Sequence, residues 1–196
     1  VSEDWYFVSH RLHLAITAIN NGYEVTLLSR VSKHQELISS LGINVINWPL
    51  ERRSLNPIRE LISIYYVIRT VRTIKPNLVH AVGIKPVVYT TLSKVFLNID
   101  GIVLALGGLG FIFRSNRVSA KILKMFIVLI FRLFLANVNV RFIVQNRYDG
   151  EILKSFNIAN SKKIRLIRGA GVSVKDFFPK NVQNEIPLVI LPARML

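Results

Sequence analysis

The sequence contains no cysteine, so a disulfide scaffold is excluded, and the composition fits a reducing compartment. Acidic residues are scarce: 11 Asp and Glu stand against 26 Lys and Arg. With so few carboxylates near the ends of the predicted strands, no complete acid/base pair stands out. Histidines number four, His10, His13, His34 and His80. His10 and His13 share one helix at a spacing of three, but no cysteine or nearby carboxylate completes a ligand set, so no metal site is expected. There is no GxSxG, which removes the nucleophile elbow of an α/β-hydrolase, and no Lys-Ser/Thr follows a glycine-rich turn as a Walker loop requires. The opening VSEDWYF lacks the basic and long apolar regions of a signal peptide. The apolar run beginning at Met125 stops at Arg132, well short of the roughly 18 residues that span a bilayer.

What is present is apolar and basic together. Of 196 residues 51 % are hydrophobic, mean hydropathy is +0.40, and net charge is +15. The length suits one domain with a real core and a piece of a second. The charge favours polyanions: phosphorylated substrates, an anionic membrane surface or nucleic acid. So much aliphatic bulk beside that charge leans toward the membrane and away from nucleic acid.

Along the chain, short apolar runs alternate with helical periodicity. The sequence opens at Val1 as if a strand had just ended. A helix is predicted over Phe7–Asn21, a strand over Glu24–Ser29, a helix over His34–Leu41 and a strand over Asn44–Trp48. Pro57 opens a long helix through Ile74, followed by a strand at Leu78–Val82 and a helix at Val87–Phe96 that Pro86 introduces. Further strands are predicted at Ile102–Leu106, Val140–Val144 and Ile164–Ile167, with helices at Arg117–Asn137 and Tyr148–Phe156. Strand and helix in strict alternation define an α/β fold, a Rossmann-like, doubly wound, mostly parallel sheet with helices on both faces. Residues 1–180 form that domain. Residues 181–196 read as a linker and, at Leu188–Leu191, the first strand of a further domain that is missing from this sequence.

In such a sheet, ligands sit beyond the carboxyl ends of the strands. His80, Gly83 and Lys85 fall near that edge, as do Gly107, Gly108 and Gly110, which form either a tight turn or a ligand-contacting loop. Asp4 either caps the first helix or meets a ligand. In the Arg117–Asn137 helix, Arg117, Lys121, Lys124 and Arg132 fall on one narrow arc amid Ile, Leu, Phe, Met and Val. One reading is a core helix with a solvated basic stripe. The other is an interfacial helix whose cations meet anionic lipid.

The order of motifs resembles the N-terminal domain of family 4 glycosyltransferases of the GT-B type, closest to bacterial enzymes of capsule, O-antigen and lipid-linked glycan assembly. The stretches that carry the resemblance are EDWYFVSHRLHLA (Glu3–Ala15), GYEVTLLSR (Gly22–Arg30), NLVHAVGIKPVVY (Asn77–Tyr89), LGGLGFIF (Leu106–Phe113), FIVQNRYDGEIL (Phe142–Leu153) and RLIRGAGVSVKDFFP (Arg165–Pro179). It implies a retaining transferase that moves a sugar from a nucleotide-sugar to a polyprenyl-phosphate-linked or saccharide acceptor, without cofactor or metal. This domain would hold the acceptor, and the missing C-terminal domain most of the donor, so this chain alone is not expected to transfer sugar.

The resemblance places Asp4, Trp5, His10 and Arg11 on the acceptor side, with Lys85 on the loop that follows His80. His80 matches a strand-end histidine to which a catalytic role is assigned. Many relatives carry a second histidine two positions on, where this chain has Val82. Gly107, Gly108 and Gly110 would form a flexible loop over the cleft, with Gln145 and Asn146 on a neighbouring loop. Gly169 and Gly171 would approach the donor phosphates. The implied location is cytoplasmic, peripheral on the inner face of the cell membrane. The readings that compete are a non-catalytic module for anionic lipid or phospho-glycolipid and, more weakly, a nucleic-acid binder.

Overall fold

In the computed structural model the described residues are 1–178, except 53, 55, 97, 98, 110–112, 114, 136–138, 173 and 176, together with 189. The predicted strand at 188–191, the linker before it and Gly110 therefore lie outside the described residues, apart from residue 189.

The chain alternates as its periodicity predicts. The elements are α1 (Asp4–His10), α2 (Leu12–Asn20), β1 (Thr26–Ser29), α3 (Gln35–Ser40), β2 (Asn44–Asn47), α4 (Pro57–Ile74), β3 (Leu78–Val82), α5 (Ile84–Ser93), β4 (Gly101–Leu106), α6 (Val118–Leu135), β5 (Val140–Val144), α7 (Arg147–Ser155) and β6 (Ile164–Leu166). All pairings are parallel. β1 pairs with β2, and β3, β4, β5 and β6 lie side by side in that order. The expected single sheet is thus divided among the described residues into a two-stranded and a four-stranded part. Residues 1–3 run beside the end of β1. The Val1 nitrogen donates to the Leu28 carbonyl (3.1 Å), Glu3 bridges Arg30, and a Cβ built on Gly83 would lie 3.9 Å from Ser2 Oγ.

Helices cover both faces. Neighbouring residues of a strand point to opposite sides. Leu27 of β1 belongs to a small core with Phe7, Ala15, Ile38 and Ile43, beneath α1, α2 and α3. Leu28 packs against the main core, which Val67 and Val71 of α4, Val87 of α5, Phe131 of α6 and Leu153 of α7 form with β3, β4 and β5. β4 is the most enclosed strand, with Ile102, Leu104, Ala105 and Leu106 all buried, as a central parallel strand covered by helices must be.

Local chemistry accounts for the helix ends. Asn56 caps α4 by accepting from the Ile58 amide at 3.0 Å, Pro57 occupies its first turn, and Lys75 ends it in the left-handed conformation at φ 50°. α5 starts at Ile84, earlier than predicted, so Pro86 falls inside the first turn. Its missing N–H costs nothing there, because first-turn amides have no intrahelical partner. Gly83, at φ +92°, makes the strand-to-helix turn, a conformation that side chains with Cβ rarely adopt. The predicted helix over Phe7–Asn21 is instead two helices. It begins at Asp4 and breaks at Arg11, whose φ of −133° leaves the helical region.

α1 is tied down by a buried carboxylate. Asp4 is fully buried, and its Oδ2 accepts from the backbone N–H groups of Ser32 (2.7 Å), Lys33 (3.0 Å) and His34 (3.1 Å). Its Oδ1 accepts from the Trp5 N–H and the Ser32 hydroxyl, both at 2.8 Å. Burial alone raises a carboxyl pKa, but the Ser32 and His34 hydrogen bonds outweigh it here and hold Asp4 below the usual carboxylate range. The sign follows from linkage: a carboxyl with a depressed folded pKa lends stability above its unfolded pKa of about 4 and loses it as pH falls below. Asp4→Ala strands several buried N–H donors, so urea denaturation at neutral pH is expected to show a loss of about 3 kcal/mol. The difference between variant and parent is expected to shrink in acid.

Candidate functional site at the carboxyl edge of the sheet

Parallel strands bring β3, β4, β5 and β6 to a common edge, and the loops leaving them are where candidate residues collect. The α1 helix stands at the same edge. Its Tyr6 hydroxyl lies 4.0 Å from where a Cβ on Gly107 would sit, so α1 touches the turn after β4. Tyr6 stacks on the His10 ring (centroids 4.4 Å apart), and half-exposed Trp5 sets its edge on Tyr6 at 5.9 Å. His10 Nδ1 is 2.6 Å from Ser9 Oγ. Trp5, Tyr6 and His10 therefore form an aromatic strip on α1, which Tyr6 brings to the Gly107 turn. Stacked rings of this kind present apolar faces to a sugar or lipid chain while their polar edges remain available.

The Gly107 turn is held from its far side. Asp149, buried in the first turn of α7, accepts from the Leu109 N–H at 3.3 Å and from Asn146 Nδ2 at 2.9 Å. Asn146 Oδ1 in turn accepts from the Asp149 N–H at 2.8 Å and caps the helix. Gly108 sits between these anchors at φ +131°, a conformation reserved for glycine. The turn is thus a fixed feature between α1 and α7.

His80 is in the middle of β3, opposite Val103, and not at the strand's end. It is largely buried. Desolvation first, and then the positive charge of Arg11, push its pKa down to about 4, so the ring is neutral at pH 7. Its Nε2 is buried without a hydrogen-bond partner among the described residues, and so is Nε of Arg11 at the α1–α2 break. Two unpaired polar atoms, one on a neutral imidazole and one on a guanidinium, are a cost that a water or a polar ligand would remove, as for His34 Nδ1, the Tyr89 hydroxyl and Ser93 Oγ.

Several expected ligand contacts are instead structural. Asp4 has no exposed surface, and both its oxygens are occupied within the fold. Lys85 points its ammonium to the carbonyls of Glu51 (2.9 Å) and Ser54 (2.6 Å) and to Glu60 Oε1 (2.7 Å), which uses all three donors to pin the loop after β2 against α5. Asn146 spends its amide on Asp149. Gln145 remains, half-buried at the exit of β5, and Gly169 and Gly171 lie beyond β6. Asp149, Tyr6 and Leu109 were not singled out by sequence reasoning. The Asn146-x-x-Asp149 spacing of a helix cap is the signal that marks the first, and nothing in composition marks the other two.

The basic arc of α6 is split. Lys124 sits over the Phe156 ring at 5.5 Å, and Arg132 Nε donates to the Phe156 carbonyl at 2.7 Å, capping the C-terminal end of α7 where a cation is favoured. Arg117 and Lys121 remain on the exposed surface. A cavity of about 570 Å³ lies between the two helices, lined by Phe113, Lys124, Tyr148, Glu151, Lys154 and Phe156 among others.

A parallel α/β fold with a loop-built rim is the class that fold and site define. A family model described as glycosyl transferase 4-like matches residues 1–146, and the chain belongs to that family. It is 22 % identical over 162 residues to the N,N'-diacetylbacillosaminyl-diphospho-undecaprenol alpha-1,3-N-acetylgalactosaminyltransferase of Campylobacter jejuni, which covers 83 % of this chain and 43 % of that protein. Its fold is that of a glycosyltransferase from Rickettsia africae, with a TM-score of 0.61 and 16 % identity over 89 % of this chain and 42 % of that one. The chain therefore spans less than half the length of these relatives.

Two outcomes follow from this geometry. Asp149→Ala frees the Leu109 amide, and hydrogen exchange there is expected to accelerate at least tenfold, with a global stability loss of about 2 kcal/mol. An NMR titration of His80 is expected to show a neutral ring through the physiological range and a midpoint near 4. Because its folded pKa lies below the unfolded value of about 6.5, His80 subtracts stability as pH falls between the two.

Proposed function

We propose that the protein is a retaining glycosyltransferase that moves a sugar from a nucleotide-sugar onto a lipid-linked acceptor, and that this chain is its acceptor-holding half. Family membership supports the reaction class, and the name of the Campylobacter relative supports an acceptor carried on a diphospho-polyprenol. The observation that carries the reading is the pair of buried, unpartnered atoms, His80 Nε2 and Arg11 Nε, whose residues are close enough for the Arg11 charge to depress the His80 pKa.

In this reading the acceptor sugar lies against Trp5, Tyr6 and His10, and the Arg11 guanidinium meets its phosphate. His80, neutral and desolvated, is a hydrogen-bond partner for a sugar hydroxyl and is not a general acid at pH 7. The acceptor oxygen forms its bond to the anomeric carbon on the face that the diphosphate leaves. Its proton passes to the departing phosphate oxygen. Holding the two reactants together is the larger part of the work, since bringing them into register removes an entropic barrier. Charge developing on the leaving group is met by protein donors and not by a metal. Gly107, Gly108, Gln145, Gly169 and Gly171 border the side from which the donor arrives. Gly110 has the same assigned place in the sequence but lies outside the described residues.

A lipid-linked acceptor sets the work at a membrane surface. The reading places the protein as a peripheral one on the cytoplasmic face, its partners being the nucleotide-sugar, the lipid-linked acceptor and the domain that completes the cleft.

The test is transfer by the whole protein from a panel of nucleotide-sugars to a diphospho-polyprenol-linked saccharide. Product is expected with the anomeric configuration of the donor retained. His80→Ala and Arg11→Ala are each expected to lower kcat/KM about 100-fold with the circular dichroism spectrum unchanged. Parental activity in both variants contradicts the assignment of the site.

A further inference from the structure

His10 is held by two of its neighbours on α1, and one of them, Ser9, decides which ring nitrogen carries the proton. Ser9 Oγ lies 2.8 Å from the Trp5 carbonyl, 3.4 Å from the Tyr6 carbonyl and 2.6 Å from His10 Nδ1. A carbonyl oxygen only accepts, and a hydroxyl has a single proton to give. That proton goes to the Trp5 carbonyl one helical turn back, the bond a serine inside a helix commonly makes. Were it given to Nδ1 instead, two oxygens would face each other at 2.8 Å with no hydrogen between them. With the hydroxyl proton spent, the short contact to Nδ1 is satisfied by a proton on Nδ1, donated to a lone pair of Oγ. In the neutral ring Nε2 is then bare and can only accept, because the bond at one nitrogen fixes the state of the other.

Tyr6 fixes the plane of the ring, lying 8° from parallel to it, and the Ser9 bond fixes which way round the ring sits in that plane. Tyr6 also reaches the Gly107 turn with its hydroxyl, and Arg11, the next residue after His10, is close enough to His80 to depress its pKa. His10 therefore belongs to the same edge as the other candidate groups. Among the described residues no protein group bonds its Nε2. An acceptor at this place complements its surroundings, since the Arg11 guanidinium and the Trp5 indole N–H can only donate.

We propose that Ser9 is a positioning residue and His10 a specificity-determining one: Ser9 locks the His10 ring with Nε2 as a hydrogen-bond acceptor, and Nε2 receives a hydroxyl of the acceptor sugar other than the one that reacts. This assignment rests on the acceptor reading above and names the kind of group on the sugar that is recognised. The reacting hydroxyl gives its proton to the departing phosphate. A neighbouring hydroxyl keeps its proton and has it to donate. A ring free to turn would present N–H as readily as a bare nitrogen, and would admit an ether or a carbonyl at that position as well. A ring locked as an acceptor discriminates against groups that carry no proton, because they leave Nε2 unpaired.

The test uses the whole protein with histidine labelled at its ring nitrogens. Nitrogen NMR, at a pH where the ring is neutral, is expected to show the His10 proton on Nδ1 in the parent and in Ser9→Thr, and displaced from Nδ1 in Ser9→Ala. His10→Phe identifies the signal. Ser9 is exposed, so its variants are expected to keep the parental circular dichroism. Titration with a diphospho-polyprenol-linked saccharide and its single-deoxy forms, without nucleotide-sugar, then measures the contact. One deoxy form is expected to bind the parent about tenfold more weakly than the full saccharide. His10→Phe, which keeps a ring stacked on Tyr6, and Ser9→Ala are expected to lose that preference, and Ser9→Thr to retain it. A proton on Nε2 of the neutral parent ring, or one still on Nδ1 in Ser9→Ala, overturns the locking role. A deoxy preference unchanged in His10→Phe overturns the recognition role. The expected binding pattern without any sugar transfer leaves the contact standing and removes the transferase reading. Transfer by the parent, with the same deoxy preference in every variant, keeps that reading and removes the contact. A parent that does not bind the saccharide contradicts both.

Discussion

Four strands that run the same way must deliver their carboxyl ends to one edge. That constraint, set by the parallel hydrogen-bond ladder from β3 to β6, is what makes a site possible in this chain. The strands satisfy one another's backbone groups, and the helices packed on β4 shield that ladder from water. The order of the loops along the edge then follows from strand order and needs no separate cause. α1 joins them because Asp4 locks its first turn to the loop after β1, a contact between groups 28 to 30 residues apart in sequence.

The polar residues at the rim and just below it are of two sorts. Asp4, Lys85 and Asn146 have every hydrogen-bonding atom used by the fold, and they hold loops in place. His80 and Arg11 each keep a buried nitrogen without a partner among the described residues. The first sort gives the edge its rigidity, which in the proposed reading preorganises the second for the acceptor and lowers the cost of ordering on binding. The Gly107 turn shows both effects, pressed between Tyr6 on one side and the Asp149 carboxylate on the other.

Much of the architecture could be read from residue order. The ranges of α4, β3 and β5 match their prediction, because Asn56-Pro57, Lys75-Pro76 and the apolar runs carry unmistakable local signals. The break at Arg11 was not legible: apolar spacing continues through it, and only the tertiary fold decides that the guanidinium turns inward. The roles of Asp4 and Lys85 were hidden for a related reason. A carboxylate has the same chemistry whether it accepts from a substrate or from backbone N–H groups 28 to 30 residues away, as does an ammonium donating to a substrate or to carbonyls 31 or 34 residues away, and sequence does not show which. The α6 helix was recognised as unusual from its composition. What the sequence pattern placed on its exposed side was the basic arc, whereas packing against α5 exposes an apolar line next to it that includes Met125, Leu129 and Leu133.

The central claim is that the edge formed by α1, β3 and the Gly107 turn receives the acceptor. Photo-cross-linking tests it most directly, using a diphospho-polyprenol-linked saccharide with a photoreactive group on the sugar and mapping the attachment sites by mass spectrometry. The account predicts attachment to the α1 segment that carries Trp5, Tyr6 and His10, and to the turn at Gly107 and Gly108. Attachment confined to the cavity between α6 and α7, or spread evenly over the surface, would contradict it.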